Sequence, residues 1–526
     1  ILLKDKFNKP LGLADPEVMI LDPATGTGTF LLWICQLIHT RFYEEREAII
    51  NRVGNITWSE YVRDHLLPRI FGFELLMAPY AIAHLKLGLF LQETGYQFDE
   101  GKRLGVYLTN TLDEPTKKSE FLVDEFIAEE SSQAADIKKE KPIMVVIGNP
   151  PYSVSSTNSS EWISNLIKDY KKNLIEKKIN LDDDFIKFIR AAQWRIDSTG
   201  NGIVAFISSN TFLDGITHRR MRESLMSSFD DIWALNLHGS IKKKEKCPDG
   251  AKDENVFDIQ QGVAIGIFIK GLEKKEIKRT KVYYADSWGL REDKYSWLSE
   301  SDITSVDWIE LIPEAQYFFF VPKIFDAEAE YLTGLKLNNI FPIHQNGLKT
   351  DRDELFFDFD RDILEERIKN FYSDSGMEQE FRFQYRIEDS SSYDLLSRRR
   401  KTSFNSDNIR KCLYRPFEVR WLYYASGLTS RPAWDVMRHM LEGDNLGFIA
   451  TRQTSEKWDV LVTKHICGHK SCAAYDINSL FPLYIYPDTE NQQGSLFVEK
   501  SPNLSSDFIA AIREKLGYIP TPEAIF

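Results

Sequence analysis

The first half of the chain alternates short apolar runs with stretches whose apolar positions recur at helical spacing. Val18 to Leu21 has the length of a buried strand, and Leu31 to Tyr43 has a helical repeat. Between them lies Asp22-Pro-Ala-Thr-Gly-Thr-Gly-Thr-Phe30, giving the order strand, glycine loop, helix. A second strand is predicted to end at Phe71-Gly-Phe-Glu74, with an inserted helix from Trp58 to Leu67 before it and a helix from Ala78 to Leu91 after it. A third strand covers Gly105 to Leu108, and a fourth, Ile143 to Ile147, runs into Gly148-Asn-Pro-Pro-Tyr152. Residues 113 to 141 are charged and polar, which predicts a surface insertion, and the Ser, Asn and Thr of residues 153 to 160 predict a mobile loop.

The same rhythm continues. Helices are predicted from Asp184 to Ile196 and from Arg219 to Phe229, with strands at Gly202 to Ile207, Ile232 to Leu237 and Gly262 to Ile269. Lys242 to Lys246 is a charged turn. Strands alternating with helices predict an α/β fold, a mainly parallel, doubly wound sheet. The alternation stops near residue 290. We therefore expect a first domain at 1–290, a connecting segment at 291–340, and a second, mixed α+β domain at 341–526 where the chain turns aromatic and arginine-rich.

The 526 residues, 43% hydrophobic and 28% charged, suit a multidomain globular protein. A net charge of −13 argues against indiscriminate coating of nucleic acid, yet residues 381 to 480 hold sixteen basic against eleven acidic residues. There Arg398, Arg399, Arg400 and Lys401 are consecutive, and arginines mix with Tyr414, Phe417, Trp421, Tyr423, Tyr424 and Trp434. Such mixing suits phosphate neutralisation with base contacts, and equally a solvated basic face over an aromatic core. Five scattered cysteines predict free thiols and fit a reducing cytoplasm. No apolar run approaches the ~20 residues of a membrane span. The chain opens at Ile1 rather than Met, and we expect a piece of a longer protein.

Glycines at 26 and 28 permit positive φ and close approach of a ligand to the backbone, where helix N-terminal amides point at it. The loop lacks a P-loop lysine and is not G-x-G-x-x-G, so a nucleotide-like ligand and a plain tight turn both remain open. Glu74, at a strand end, could accept from ribose hydroxyls or be an ordinary surface acid. Asn149-Pro-Pro-Tyr152 is more informative: two prolines fix the chain, leaving the Asn149 side chain and the Pro150 carbonyl as converging acceptors for an amino group. Tyr152 offers a face for a planar group.

Together these motifs, over residues 15 to 290, resemble S-adenosylmethionine-dependent amino-methyltransferases, with the tetrapeptide in the form found in adenine-specific DNA methyltransferases. The resemblance implies a Rossmann-like sheet, Asp22, Ala24, Gly26, Gly28 and Phe30 along the methionine side, Glu74 on the ribose, and Asn110 near the cofactor adenine. Asn110 stands where Asp is common. It further implies that Asn149, Pro150, Pro151 and Tyr152 grip and stack on an adenine flipped from the duplex. Asp184 and Phe185 would lie on the cofactor side, Ser208 to Phe212 near the target pocket, and His218 against the base; helix capping or solvent exposure accounts equally for Asp184 and His218.

Gly347-Leu-Lys-Thr-Asp-Arg-Asp353, Tyr414-Arg-Pro-Phe-Glu-Val-Arg-Trp421, Arg438-His-Met440 and Arg452-Gln453 resemble the target-recognition region of type ISP single-chain restriction-modification enzymes. The resemblance implies double-stranded DNA as partner and, upstream in the same polypeptide, a nuclease and a helicase-like ATPase missing from this chain. Lys349, Arg352, Arg415, Arg420, Arg431 and Arg452 are the candidate DNA contacts, although some could serve the domain's own core. The family's cofactor-binding helix ahead of the glycine loop is expected to be absent, since few residues precede Asp22. His465, Cys467, His469 and Cys472 match no common zinc spacing, and no metal is expected. The expected activity is methylation of adenine N6 in a specific duplex site; the rivals are a protein glutamine methyltransferase and a non-catalytic DNA-recognition module.

Overall fold

The computed structural model describes residues 1–99, 101–114, 125–152, 158–176, 179–272, 279–324, 327–452, 460–472, 476–487 and 500–526. The chain divides into two compact units, Ile1–Ile324 and Phe325–Phe526.

The first unit is built on a nine-stranded sheet. Its strands are β1 (Ile20–Asp22), β2 (Ile70–Glu74), β3 (Val106–Leu108), β4 (Val145–Gly148), β5 (Gly202–Ser209), β6 (Asp231–His238), β7 (Val263–Lys270), β8 (Lys281–Asp286) and β9 (Ile309–Leu311). They lie in the order β3-β2-β1-β4-β5-β7-β6-β8-β9. The first five pair in parallel, β7 enters antiparallel between β5 and β6, and β9 is antiparallel to β8. The strands are near-continuous apolar runs because helices cover both faces. Neighbouring residues consequently serve opposite cores. Ile20, Val145 and Ile203 pack with Leu31, Ile34 and Ala83, while Leu21, Val146 and Val204 pack with Ile137, Ile189 and Leu225.

Two departures from the expected layout have physical causes. The stretch 113 to 141 is more than a surface insertion: Glu125–Lys139 is a helix crossing from β3 to β4 that buries Ala134, Ala135 and Ile137. Among its described charges, Glu130 is 1% exposed, pairs with Arg103 and accepts from the Leu108 amide at 3.0 Å, and Lys138 also turns inward, to the Asn110 carbonyl. The first unit also runs beyond 290, since Arg291–Glu300 is a helix and β9 extends the sheet. The stretch 153–157 of the expected mobile loop, and Gln453, lie outside the described residues.

The second unit is mixed α+β. One four-stranded sheet has the order β10 (Gln345–Asn346), β17 (Asn478–Pro482), β14 (Gly447–Thr451), β15 (Val460–Thr463). The other has β11 (Phe357–Asp358), β13 (Glu418–Tyr423), β12 (Ile409–Arg415), β16 (Ile466–Cys467), with the helix Arg361–Tyr372 packed on β13. Leu355, Phe371, Tyr393, Cys412, Leu422 and Ile449 share its core. Among the described residues no helix is long and apolar enough to cross a membrane, and all five cysteines are free.

Candidate active site

β1 delivers Asp22 to the carboxyl edge of the sheet, where the chain turns through Gly26 (φ 54°) and Gly28 (φ 79°) into the helix Thr29–Glu44. Left-handed φ favours glycine at both. Gly28 also lets the helix Met77–Glu93 approach, since a Cβ there would lie 3.1 Å from that of Ala83, while around Gly26 the space is open. Glu74, ending β2, spans the loop: one carboxylate oxygen accepts from Gly26 N and the other from Leu76 N, both at 2.8 Å.

Asp22 is fully buried. Its Oδ1 accepts from Ala24 N at 3.1 Å, and its Oδ2 has no partner among the described residues. Burial pushes its carboxyl up from 3.8 to about 7; the Ala24 hydrogen bond opposes this and the Glu74 carboxylate adds to it. Ala24 and Phe30 are half-buried beside it. Asn110 follows β3; its Oδ1 accepts from Leu112 N and its Nδ2 donates to Asn158 Oδ1, each at 3.1 Å. Lys138 donates to the Asn110 carbonyl at 2.6 Å, and burial brings that ammonium down to about 8.

β4 pairs directly with β1, Leu21 opposite Val146, which sets the Asn-Pro-Pro-Tyr segment beside Asp22. Asn149 is exposed, Pro150 buried, Pro151 exposed and Tyr152 half-buried. The Tyr152 hydroxyl donates to Asn149 Oδ1 at 2.9 Å, and its ring stands edge-on to Phe185 at 6.4 Å. Burial raises the Tyr152 pKa, with Asp183 contributing, so the hydroxyl keeps its proton.

The edge continues past β5. Asn210 is buried and donates to Asn236 Oδ1 at 3.0 Å, and Asn236 in turn reaches the Tyr284 hydroxyl at 3.3 Å. His238, at φ 52° where β6 slips register against β7, stacks on Trp288 with ring centres 3.3 Å apart. Sequence reading missed Asn236, His238 and Tyr284; the only local signal was a histidine before glycine at the end of an apolar run. His218 is not available to a base: it is buried against Gly215, and burial takes its imidazole down to about 3. Asp184 is buried in the first turn of its helix, behind Asp183.

The five arginines and one lysine expected on DNA divide into different roles. Arg352 is spent within the fold, donating to Asp351 O at 2.7 Å, Glu388 O at 2.9 Å and Arg386 O. Lys349 pairs with Asp351, and its backbone exchanges two 2.9 Å hydrogen bonds with that of Arg431. Arg415 and Arg420 lie over the Tyr414 ring at 4.1 and 4.0 Å. Arg431 and Arg452 are exposed.

A doubly wound sheet with a glycine loop and, at its carboxyl edge, a buried carboxylate with one oxygen unpaired among the described residues defines an α/β protein of the class in which ligands bind at that edge. Comparison with known proteins narrows the class. Residues 69–239 match the Eco57I restriction-modification methylase, and residues 339–526 match the Type ISP C-terminal specificity domain. The two matches fall one in each unit, the methylase match in the first and the specificity-domain match in the second. Its fold resembles that of the ATP-dependent Type ISP restriction-modification enzyme LlaBIII bound to DNA, at 24% identity and TM-score 0.67, over 97% of this chain and 35% of that one. The DrdV–DNA complex matches at 23% and 0.69, over 100% and 51%. A nuclease-deletion mutant of the Type ISP enzyme LlaGI, with a DNA substrate mimic, matches at 21% and 0.66, over 96% and 41%. The chain therefore spans about a third to a half of these relatives. No curated protein matches.

Proposed function

We propose that this chain transfers a methyl group from S-adenosylmethionine to the N6 amine of an adenine flipped from a specific duplex DNA site, within a restriction-modification or phage-defence enzyme. The observation that carries this reading is the adjacency of Asp22 and Asn149 through the β1–β4 pairing, which sets a cofactor-type loop beside two acceptors for an amino group.

The residues present fit the cofactor. Asp22 Oδ2 is a buried acceptor without a partner, and the backbone at Gly26 faces open space. Asp22, Ala24, Gly26, Gly28 and Phe30 would hold the methionine side, Glu74 the ribose, and Asn110 the adenine side. When bound, S-adenosylmethionine supplies an electrophilic methyl. Asn149 Oδ1 and the Pro150 carbonyl accept from the adenine amine, orient its lone pair, and stabilise the positive charge that grows on nitrogen. Tyr152 stacks on the base, and Pro150 and Pro151 keep both acceptors rigid. The second unit supplies phosphate and base contacts through Arg431, Arg452, Arg415, Arg420 and Lys349. Nuclease and helicase-like ATPase domains of the same polypeptide are the implied partners.

The test is incubation with labelled S-adenosylmethionine and mixed-sequence duplex DNA, followed by nucleoside analysis, with Asn149→Ala alongside. Label in N6-methyladenine that the variant loses supports the reading. Salt-dependent DNA binding without transfer favours a recognition module, and label on protein glutamine favours the protein methyltransferase.

A further inference from the structure

β12 and β13 are joined by a two-residue turn, because Arg415 pairs with Glu418 and only Pro416 and Phe417 lie between them. Proline sets φ near −65° at the first position, and Phe417 takes φ 60° at the second. This is the pattern of a type II turn, whose second central position favours glycine. An L side chain there crowds the following carbonyl, and strained positions of this kind concentrate at functional sites. Phe417 is moreover 89% exposed. Glycine would relieve both the strain and the apolar exposure. What phenylalanine adds is a flat apolar ring held at the tip of a hairpin.

The surroundings indicate what the ring meets. The guanidinium groups of Arg415 and Arg420 both lie on the Tyr414 ring, at 4.1 and 4.0 Å, and Arg420 also covers Phe359 at 4.4 Å. Glu418 further orients Arg420. Two cations on the strands next to the turn are therefore held on one ring. An exposed apolar ring on a hairpin that also carries arginines complements a polyanion with an aromatic interior: arginines neutralise phosphates while apolar wedges separate base steps.

We propose that Phe417 is a wedge that inserts between base steps of the duplex DNA bound by the second unit. The inference rests on the DNA-binding reading above and adds a contact outside the arginines and lysine already considered.

The experiment is closure of relaxed plasmid by a topoisomerase in the presence of the full chain, with duplex affinity measured across a salt series. Wild-type protein is expected to shift the linking number. Phe417→Gly should lose that shift, keep the slope of log affinity against log salt, and melt no lower than wild type, which shows that it is folded. Phe417→Leu should retain part of the shift. Equal unwinding by wild type and Phe417→Gly, or wild-type binding without unwinding, overturns the wedge and leaves DNA binding intact. Absence of salt-dependent binding by wild type overturns the DNA reading and the wedge with it.

Discussion

Gly148 ends β4 so close to Asp22 that a Cβ added to it would lie 2.6 Å from Asp22 Oδ1. Neighbouring strands thus press the last residue before Asn149 onto the carboxylate at the head of the glycine loop. Gly148→Ala must displace one of them. We expect S-adenosylmethionine affinity to fall at least about tenfold, or about 1.4 kcal/mol, by calorimetric titration. Unchanged affinity would separate Asp22 from the cofactor.

Asn149 and Tyr152 share one hydrogen bond and should nonetheless differ in weight. Asn149→Ala removes an acceptor used as charge grows on the amine, and should lower single-turnover methyl transfer by about 10²- to 10³-fold with DNA affinity unchanged. Tyr152→Phe keeps the stacking ring and should cost less than about tenfold. If the two variants lose the same amount, the tyrosine hydroxyl rather than its ring matters.

Asp22 makes the protein sensitive to pH near neutrality. Its carboxyl is raised to about 7 from 3.8 by burial, so between those values the folded state holds a proton that the unfolded chain has released. This contribution to stability is present in full below pH 3.8 and is lost as pH rises through about 7. Asp22→Asn should flatten that decline in melting temperature. Conversely, a cationic ligand favours the ionised carboxylate, so S-adenosylmethionine should bind more tightly as pH rises through 7 and release a proton. Proton counts from titration in buffers of different ionisation enthalpy will show whether it does.

Asp253 and Lys294 form a fully buried ion pair at 2.7 Å, and the Lys294 ammonium also donates to Leu237 O at 2.8 Å and Glu254 O at 2.7 Å. The pair anchors the segment after β6, where Asp253 accepts from Gly239 N. Lys294→Met strands a buried carboxylate and should cost about 3–5 kcal/mol in urea unfolding. Adding Asp253→Asn should recover part of that loss; no recovery would mean that the carbonyl contacts of Lys294 dominate.

Arg352 and Arg431 should separate stability from recognition. Arg352→Ala removes hydrogen bonds to the carbonyls of Asp351, Arg386 and Glu388 and should destabilise by about 1 kcal/mol with little change in salt dependence. Arg431→Ala should leave the melting temperature unchanged and reduce the salt slope of DNA binding by about one. The reverse outcome would exchange their roles.

Local pattern carried much of the fold. The strands at Ile70–Glu74, Val145–Gly148 and Gly202–Ser209 were legible as apolar runs, because a strand covered on both faces must be apolar throughout. The candidate site was legible wherever its chemistry is contiguous, as in Asp22 to Phe30 and Asn149 to Tyr152. Where one residue's role depends on a distant partner, sequence left it open. The helix Glu125–Lys139 looked like surface because, among its described side chains, only Glu130, Ala134, Ala135 and Ile137 are buried. His218 and Arg352 looked available because nothing local announces the packing that encloses one and the carbonyls that occupy the other.

By itself, then, the sequence determined the alternation of strands and helices, the turns that glycine and proline impose, and the chemical character of each loop. These follow from short-range sterics and from the periodicity of burial. Tertiary structure alone decided that β1 lies beside β4, that β7 slips between β5 and β6, and that Glu74 grips Gly26. Strand neighbours are selected by which apolar faces can be buried together across the whole sheet, a long-range condition that no local window of residues contains.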